Sequence, residues 1–433
     1  MVCMKCKVLS SLTLFKKHIL LISIVIWSFL CNISFAQQSI KNYVQTSFIQ
    51  INSMHPDSTN YDDLNAIGGA IGSSSIVMLG EQDHGDAATF LAKTRIIKYL
   101  HEKKGFNVLA FESDFFGLNY EPWGNKVANV DSFVKANIFP FWTLCDACEN
   151  LLYDYIPNSK NSNAPLLLAG IDNQISLKSF FTLLDSIIKK TEIPFGKSRT
   201  YADIVLPLLK TRNINTEDTT QLNRINLYFE NIKDELLIKL GKNDFWVISI
   251  ENIISLNNFY KYAKNDYFKS KNIRDSQMAK NLEWLVKCKY PKEKIIVWAH
   301  NYHISKYNGH YEDDFLNNAK TMGGIFTNDS AMFTETYILG FTSLQGTSGR
   351  LWSKKYDVSK PNKNSFEKWI GNDANYAFVD FKKYNQQTDV IEDFYMSGAV
   401  KGSLNPISHL AKWSRIFDGV FYIKDMFPCK EIK

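Results

Sequence analysis

The sequence predicts an α/β protein, a mostly parallel sheet flanked by helices with a helical insertion over the carboxyl edge of the sheet. Three observations carry that expectation. Four short, wholly apolar runs punctuate the chain, helical patterns separate them, and a long stretch between the third and fourth has helical periodicity without a strand. The 433 residues are 45% hydrophobic and 22% charged, with 11 Pro and 21 Gly. That make-up belongs to a folded chain with a large core and excludes disordered, collagen-like and coiled-coil classes.

Residues 1–36 read as an export signal. Lys16 and Lys17 precede the apolar run Ile19 to Leu30, and Ser34-Phe35-Ala36 offers a small-x-small cleavage site before Gln37. The run is too short to cross comfortably a bilayer core of roughly 30 Å, so no stable membrane anchor is expected after cleavage. The mature chain, 37–433, is expected in the periplasm or outside the cell. The formal charge of +6 falls to +2 once Lys5, Lys7, Lys16 and Lys17 leave with the signal, which removes the ground for a nucleic-acid partner. Four cysteines remain, Cys145, Cys148, Cys288 and Cys429. Cys145-Asp146-Ala147-Cys148 has redox-motif spacing but no thioredoxin-like frame, so it reads as a local disulfide or two partly buried thiols.

The apolar runs are Ile76-Val77-Met78-Leu79, Val108-Leu109-Ala110-Phe111, Leu166-Leu167-Leu168-Ala169 and Ile295-Ile296-Val297-Trp298. Each is too short for a helix and aliphatic enough for a strand buried on both faces. Between the first two, Phe90, Leu91, Ile97 and Leu100 recur at helical spacing and Lys103-Lys104-Gly105 ends the pattern, giving a parallel βαβ unit. Residues 177–290 read as successive helices, among them Leu222 to Leu240 and Phe245 to Tyr262. Tyr337 to Phe341, Ala377 to Asp380 and Val420 to Ile423 follow as further strands. The polar stretch Gln345 to Asn364, with Arg350, Trp352 and Tyr356, is expected to loop over a site.

Each of the four runs ends in polar groups: Glu81-Gln82-Asp83-His84, Glu112-Ser113-Asp114, Asp172, and His300-Asn301-Tyr302-His303. Taken singly, such residues are ordinary strand-end turns or helix caps. In a parallel sheet, however, these ends share one edge, and ligands of open α/β proteins bind in the crevice outside it. Four segments therefore converge on one candidate site holding three of the chain's eight histidines.

These residues carry a resemblance. Leu79-Gly80-Glu81-x-x-His84-Gly85, Lys93-x-Arg95, Ala110-Phe111-Glu112-Ser113-Asp114, Gly170-Ile171-Asp172, Arg274-Asp275-x-x-Met278, Trp298-Ala299-His300-Asn301-x-His303, Met322-Gly323 and Leu339-Gly340-Phe341-Thr342 together resemble the erythromycin esterase family over about residues 75–345. The resemblance implies metal-independent hydrolysis of a carboxylic ester, in the best-known members the lactone ring of macrolide antibiotics, and hence a role in antibiotic resistance. It places the family's catalytic histidine on His84, a general base on water, with Glu81 and Glu112 as supporting carboxylates and His300 and His303 completing the cleft. The residue types fit that chemistry unaided: a histidine titrates near neutral pH, and carboxylates orient it and stabilise its charged form. Lys93, Asp172 and Asn301 are expected on the substrate side. The partner is a small-molecule ester or lactone, no metal or cofactor is expected, and no oligomeric state is implied.

One departure stands out. Nine residues after the histidine the family usually carries arginine, whereas this chain has Lys93, with Arg95 two positions on. Residues two apart on a helix lie about 200° apart, so both cannot face the cleft; Arg95 is read as solvent-facing. Two other readings use the same residues. Glu81, His84, Glu112, Asp172, His300 and His303 are ligand types that would suit a metal-dependent hydrolase, and the scaffold could serve a non-catalytic binding protein. There is no Gly-x-Ser-x-Gly elbow, and Gly68-Gly69-Ala70-Ile71-Gly72 lacks the features of a nucleotide-binding loop.

Overall fold

The computed structural model describes residues 39–120, 129–174, 177–211, 214–306, 317–397 and 408–432; the signal segment lies outside them. The four apolar runs form β2 (Ile76–Leu79), β3 (Phe106–Asp114), β4 (Leu167–Asp172) and β5 (Lys294–Trp298). They are joined in the same sheet by β1 (Ile49–Gln50), β6 (Thr336–Ser348), β7 (Tyr356–Asp357), β8 (Tyr376–Asp380) and β11 (Gly419–Met426), while β9 (Phe394–Ser397) and β10 (Ser408–Ala411) form a separate hairpin. The order is β1-β8-β11-β6-β2-β5-β3-β4 with β7 off β6. The six strands from β11 to β4 are mutually parallel; β8, β1 and β7 are antiparallel to their neighbours. The mostly parallel α/β class is thus observed, with β2 at the middle of the sheet.

Period-two alternation assigns the strand side chains to two cores. Ile76, Met78, Val108, Ala110, Ile295 and Val297 face one layer. Val77, Leu79, Leu109, Phe111, Ile296 and Trp298 face the other, where Phe90, Ile97 and Leu100 of the helix Ala87–Lys104 cover them. With both faces covered, only the strand ends remain for a site.

From residue 177 to 289 the described elements are helical, the longest being Leu177–Thr191, Thr219–Leu240, Phe245–Ala263 and Tyr267–Trp284. Their own core includes Phe180, Leu184, Phe229, Ile232, Ile250 and Ile253 and extends to Phe115 and Phe116, which directly follow β3. The last of these helices plays a double part. Met278, Ala279 and Leu282 belong to the core of the sheet itself, so the helix is a sheet-covering layer as well as part of the helical group.

The cysteines depart from the local reading. Cys145 pairs with Cys429, 284 residues away, and Cys148 is a buried free thiol. Cys148 sits on the inward face of the turn Asp146–Glu149, whereas Cys145 meets the C-terminal segment through backbone bonds Asp146 N–H to Lys430 O (2.9 Å) and Ile432 N–H to Leu144 O (3.0 Å). The same segment grips the turn after β2: Cys429 N–H donates to Gly85 O (2.9 Å) and Ala87 N–H to Phe427 O (3.0 Å). The disulfide therefore fastens the C-terminus to the His84 turn. Because it closes a long loop, Cys429→Ser is expected to lower unfolding stability by about 2–4 kcal/mol, read from urea melts under oxidising conditions; an unchanged midpoint would contradict the assignment.

Candidate active site

The polar ends of β2, β3, β4 and β5 meet at the carboxyl edge, and the backbone geometry that gathers them rests on Gly80 and Asn301. Asn301 Nδ2–H donates to Phe341 O (2.7 Å) and its Oδ1 accepts from Phe341 N–H (3.1 Å), continuing the ladder of β6 where β2 has ended. A Cβ on Gly80 would lie 1.8 Å from that Oδ1, which requires glycine here. Asn301 N–H in turn donates to Glu81 O (2.9 Å). Fully buried and saturated, Asn301 ties strands together; the expectation that it faces substrate is corrected.

Glu81, fully buried, is the hub of the first half of the site. Its Oε1 accepts from His84 Nδ1–H (2.7 Å) and Trp142 Nε1–H (3.2 Å), and its Oε2 from Lys93 Nζ (2.8 Å). Burial alone would raise its carboxyl, but Lys93 and His84 outweigh this and hold it below the ordinary range. Lys93 is also without exposure and lies 4.0 Å over the Trp298 ring. Desolvation brings it down to about 8 against the pull of Glu81. Lys93 thus underpins the carboxylate and does not reach substrate, a second correction. Arg95 does point away from the cleft, but not to solvent. It is buried in a bidentate pair with Asp63 (2.6 and 2.9 Å) and donates to the carbonyls of Ser53 and Asn60.

His84 stacks on Phe141 at 4.6 Å, with Trp142 and His300 edge-on at 5.4 and 5.5 Å. With Nδ1 fixed by Glu81, its Nε2 has no hydrogen-bond partner among the described residues, and the side chain keeps 12% exposure.

The second half centres on Arg274 of the helix Tyr267–Trp284. Nε and Nη2 donate to both oxygens of Asp172 (3.0 and 2.6 Å), Nη2 also reaches Glu112 Oε1 (2.7 Å), and Nη1 lies 3.0 Å from His303 Nε2. Asp172, with no exposure, is therefore a counter-charge and not a substrate ligand, a third correction. Glu112 gives its other oxygen to His300 N–H (2.9 Å). Burial would raise Glu112, yet His303 and Arg274 hold it well below the carboxylate range.

His303 is bracketed by Asp275 at Nδ1 (2.7 Å) and Glu112 at Nε2 (3.2 Å). Burial opposes its charge, but the two carboxylates prevail and raise it to about 9. His300 behaves oppositely. Its Nε2–H donates to Gln82 O (2.7 Å) and its Nδ1 accepts from Tyr302 N–H (3.0 Å), while burial and the neighbouring histidines push it down to about 3. It is a neutral cap of the short helix Asn301–Ile304. The structure thus brings Glu81, His84, Glu112, His300 and His303 together, with His84 alone presenting a spare ring nitrogen.

Arg274, Asp275, Phe141 and Trp142 complete the site without having been assigned to it from sequence. The signal for the first two was present: Arg274 and Asp275 share a helix face with the buried Met278 and Leu282, an unusual place for charge. Nothing local marks the aromatic pair. On the insertion side, Tyr260, Tyr267 and Lys271 stand within electrostatic reach of Asp172 and Arg274. On the other side Arg350 Nε–H donates to Asp83 Oδ1 (3.1 Å) and Tyr356 OH to Asp83 Oδ2 (2.5 Å). Part of the expected loop Gln345–Asn364 is strand, since β6 runs to Ser348 and β7 covers Tyr356–Asp357. As for a metal, the carboxylates are occupied by Lys93, Arg274 and histidines. Among the described residues the convergent ligand-type group is Cys145, Asp146 and Cys429, whose two sulfurs are bonded to each other.

A histidine whose pKa is raised on folding stabilises the fold fully below its ordinary value of about 6.5, and that contribution is lost as pH rises towards the folded value. His303 therefore contributes a loss of unfolding stability as pH rises from about 6.5 towards 9. Lys289 and Lys93, lowered by burial to about 7 and about 8, contribute in the opposite sense above those values. The stability difference between wild type and His303→Asn, read from urea melts, should therefore shrink as pH rises from about 6.5 to 8; a constant difference would contradict the charged assignment.

Comparison with known proteins agrees with this architecture. A family model described as erythromycin esterase matches residues 207–426. The chain is 29% identical over 309 residues to the putative hydrolase YbfO of Bacillus subtilis, covering 66% of this chain and 68% of that protein. It is 24% identical over 426 residues to an erythromycin esterase type II of Escherichia coli, covering 89% and 97%. In fold it is similar to the solved structure of a mutant of the erythromycin esterase EreC in its open conformation, with a TM-score of 0.59 at 18% identity over 86% of this chain and 96% of the other. With the family model spanning just over half its length, this chain belongs to the erythromycin esterase family.

Proposed function

We propose that this protein is an exported hydrolase that cleaves a carboxylic ester or lactone with a water activated by His84. The observation that carries the reading is the spare Nε2 of His84 at the carboxyl edge, with Nδ1 locked to the buried Glu81. Both nitrogens of His300 are bonded to backbone and both of His303 face carboxylates, so neither offers a free base. Family membership and the hydrolase relatives support the reaction class.

In this mechanism Nε2 takes a proton from water as the water oxygen bonds to the carbonyl carbon, and the carbonyl pair moves onto its oxygen. The imidazolium is stabilised by Glu81, kept ionised by Lys93 beneath it. Collapse of the tetrahedral intermediate breaks the carbon–oxygen bond, and the leaving alkoxide recovers the proton from Nε2. The products are an acid and an alcohol, or one hydroxy acid from a lactone. Export rests on the character of residues 1–36, and the Cys145–Cys429 disulfide supports it, since such bonds persist in oxidising compartments.

The test is turnover by mature protein starting at Gln37 against macrolides and simple esters, with and without a chelator. His84→Ala is expected to lower kcat by about 10²–10⁴-fold, and Glu81→Gln should also lower it, with circular dichroism unchanged. Near wild-type turnover in His84→Ala would overturn the mechanism, and activity lost to the chelator would favour a metal-dependent reaction.

A further inference from the structure

The cations beneath the cleft are committed to carboxylates, Lys93 to Glu81 and Arg274 to Asp172 and Glu112. Arg350 differs. It sits in the connection between β6 and β7, its side chain is 52% exposed, and its Nε–H is held by Asp83, the residue before His84. Its guanidinium lies 5.9 Å over the ring of Phe141, whose ring also stacks on His84. Neither Nη group has a hydrogen-bond partner among the described residues, so the fork is fixed at one end and open at the other.

The connection is built to stay there. A Cβ on Gly85 would lie 2.4 Å from Gly349 O and 2.7 Å from Arg350 Cα, so the His84 turn and the connection touch backbone to backbone. Gly349 itself has φ +132°, a conformation that side chains rarely adopt. Lys355 Nζ folds back to donate to Gly349 O (3.0 Å) and Arg350 O (2.6 Å). Between Gly349 and Tyr356 the chain carries Arg350, Lys354 and Lys355 and no acid, and Trp352 is 61% exposed. The result is a cationic, aromatic lip fixed beside the base.

We infer that Arg350 is a specificity-determining residue that recognises an anionic group on the substrate, so that the preferred substrates are carboxylic esters bearing a carboxylate or similar anion near the scissile bond. This rests on the hydrolase reading of the same site and adds the charge class of its substrate. A guanidinium held through Nε keeps its two Nη groups for bidentate capture of an oxyanion group, which a lysine cannot reproduce.

The experiment compares mono(4-nitrophenyl) glutarate, 4-nitrophenyl hexanoate and the 4-nitrophenyl ester of 5-(trimethylammonio)pentanoate, which carry one negative, no and one positive charge. The wild type is expected to favour the anionic ester over the neutral one by roughly tenfold in kcat/KM at low salt, with the gap narrowing near about 0.5 M NaCl. Arg350→Gln should bring that ratio close to one, and Arg350→Lys should keep part of it. A wild-type ratio at or below one, or Arg350→Gln lowering all three rates in proportion, would overturn the inference. The corresponding 4-nitroanilides of glutarate and hexanoate, measured by calorimetric binding, separate this from the hydrolase reading. If no ester is turned over, or His84→Ala is fully active, the mechanism fails. Anionic preference in anilide binding, lost in Arg350→Gln, would still uphold the role of Arg350, and its absence would remove it.

Discussion

Four carboxylates, Glu81, Glu112, Asp172 and Asp275, lie buried together at the carboxyl edge of the parallel sheet, and the site depends on the cations that make this tolerable. An isolated buried charge costs several kcal/mol, and only close pairing with full hydrogen bonding offsets it. Lys93 answers Glu81, while Arg274 spans Asp172 and Glu112 and His303 bridges Glu112 and Asp275. Apart from Arg274 and Asp275, neighbours on the helix Tyr267–Trp284, each ion comes from a different segment, so the array can form only once β2, β3, β4, β5 and that helix are in place. The array also divides the histidines by role. The carboxylates leave His303 charged, burial and the neighbouring histidines leave His300 neutral, and Glu81 holds His84 at one nitrogen while the other stays bare.

The remainder of the molecule fixes the walls of that edge. Asn301 extends the ladder past Gly80, the helix Tyr267–Trp284 belongs at once to the sheet core and to the site, and the Cys145–Cys429 bond secures the C-terminal segment against the turn that carries His84. Phe141 and Trp142 belong to the segment that ends in Cys145, so the disulfide also steadies the rings around the base. The rim then differs from the floor. The floor is buried and its charges are paired, whereas Arg350 and Trp352 keep exposed surface beside it.

Much of this was legible because it is local. Aliphatic runs of four residues gave β2, most of β5, the middle of β3 and the first half of β4, and strand polarity alone placed Glu81, His84, Glu112, His300 and His303 on one edge. β6 runs beyond the apolar run Tyr337 to Phe341 because the chain as far as Gly346 still pairs with β11, and Thr347 and Ser348 pair with β7. What stayed hidden depends on partners distant in sequence. Asp172 looks like a cleft residue until Arg274, a hundred residues on, claims both its oxygens. Arg95 looks solvent-facing because nothing near it in sequence shows that Asp63 and the carbonyls of Ser53 and Asn60 enclose it. The spacing of Cys145 and Cys148 suggests a local pair, whereas the chain brings Cys429 back from its far end.

The central claim is that Glu81 fixes His84 as the Nδ1–H tautomer, leaving Nε2 as the base. Nitrogen-15 NMR of histidine-labelled protein, assigned with His84→Gln, reads this directly. For the neutral imidazole the expected result is a protonated, hydrogen-bonded Nδ1 and a bare Nε2, with the Nδ1 proton signal weakened in Glu81→Gln. A His84 protonated at Nε2 in the folded protein would contradict it.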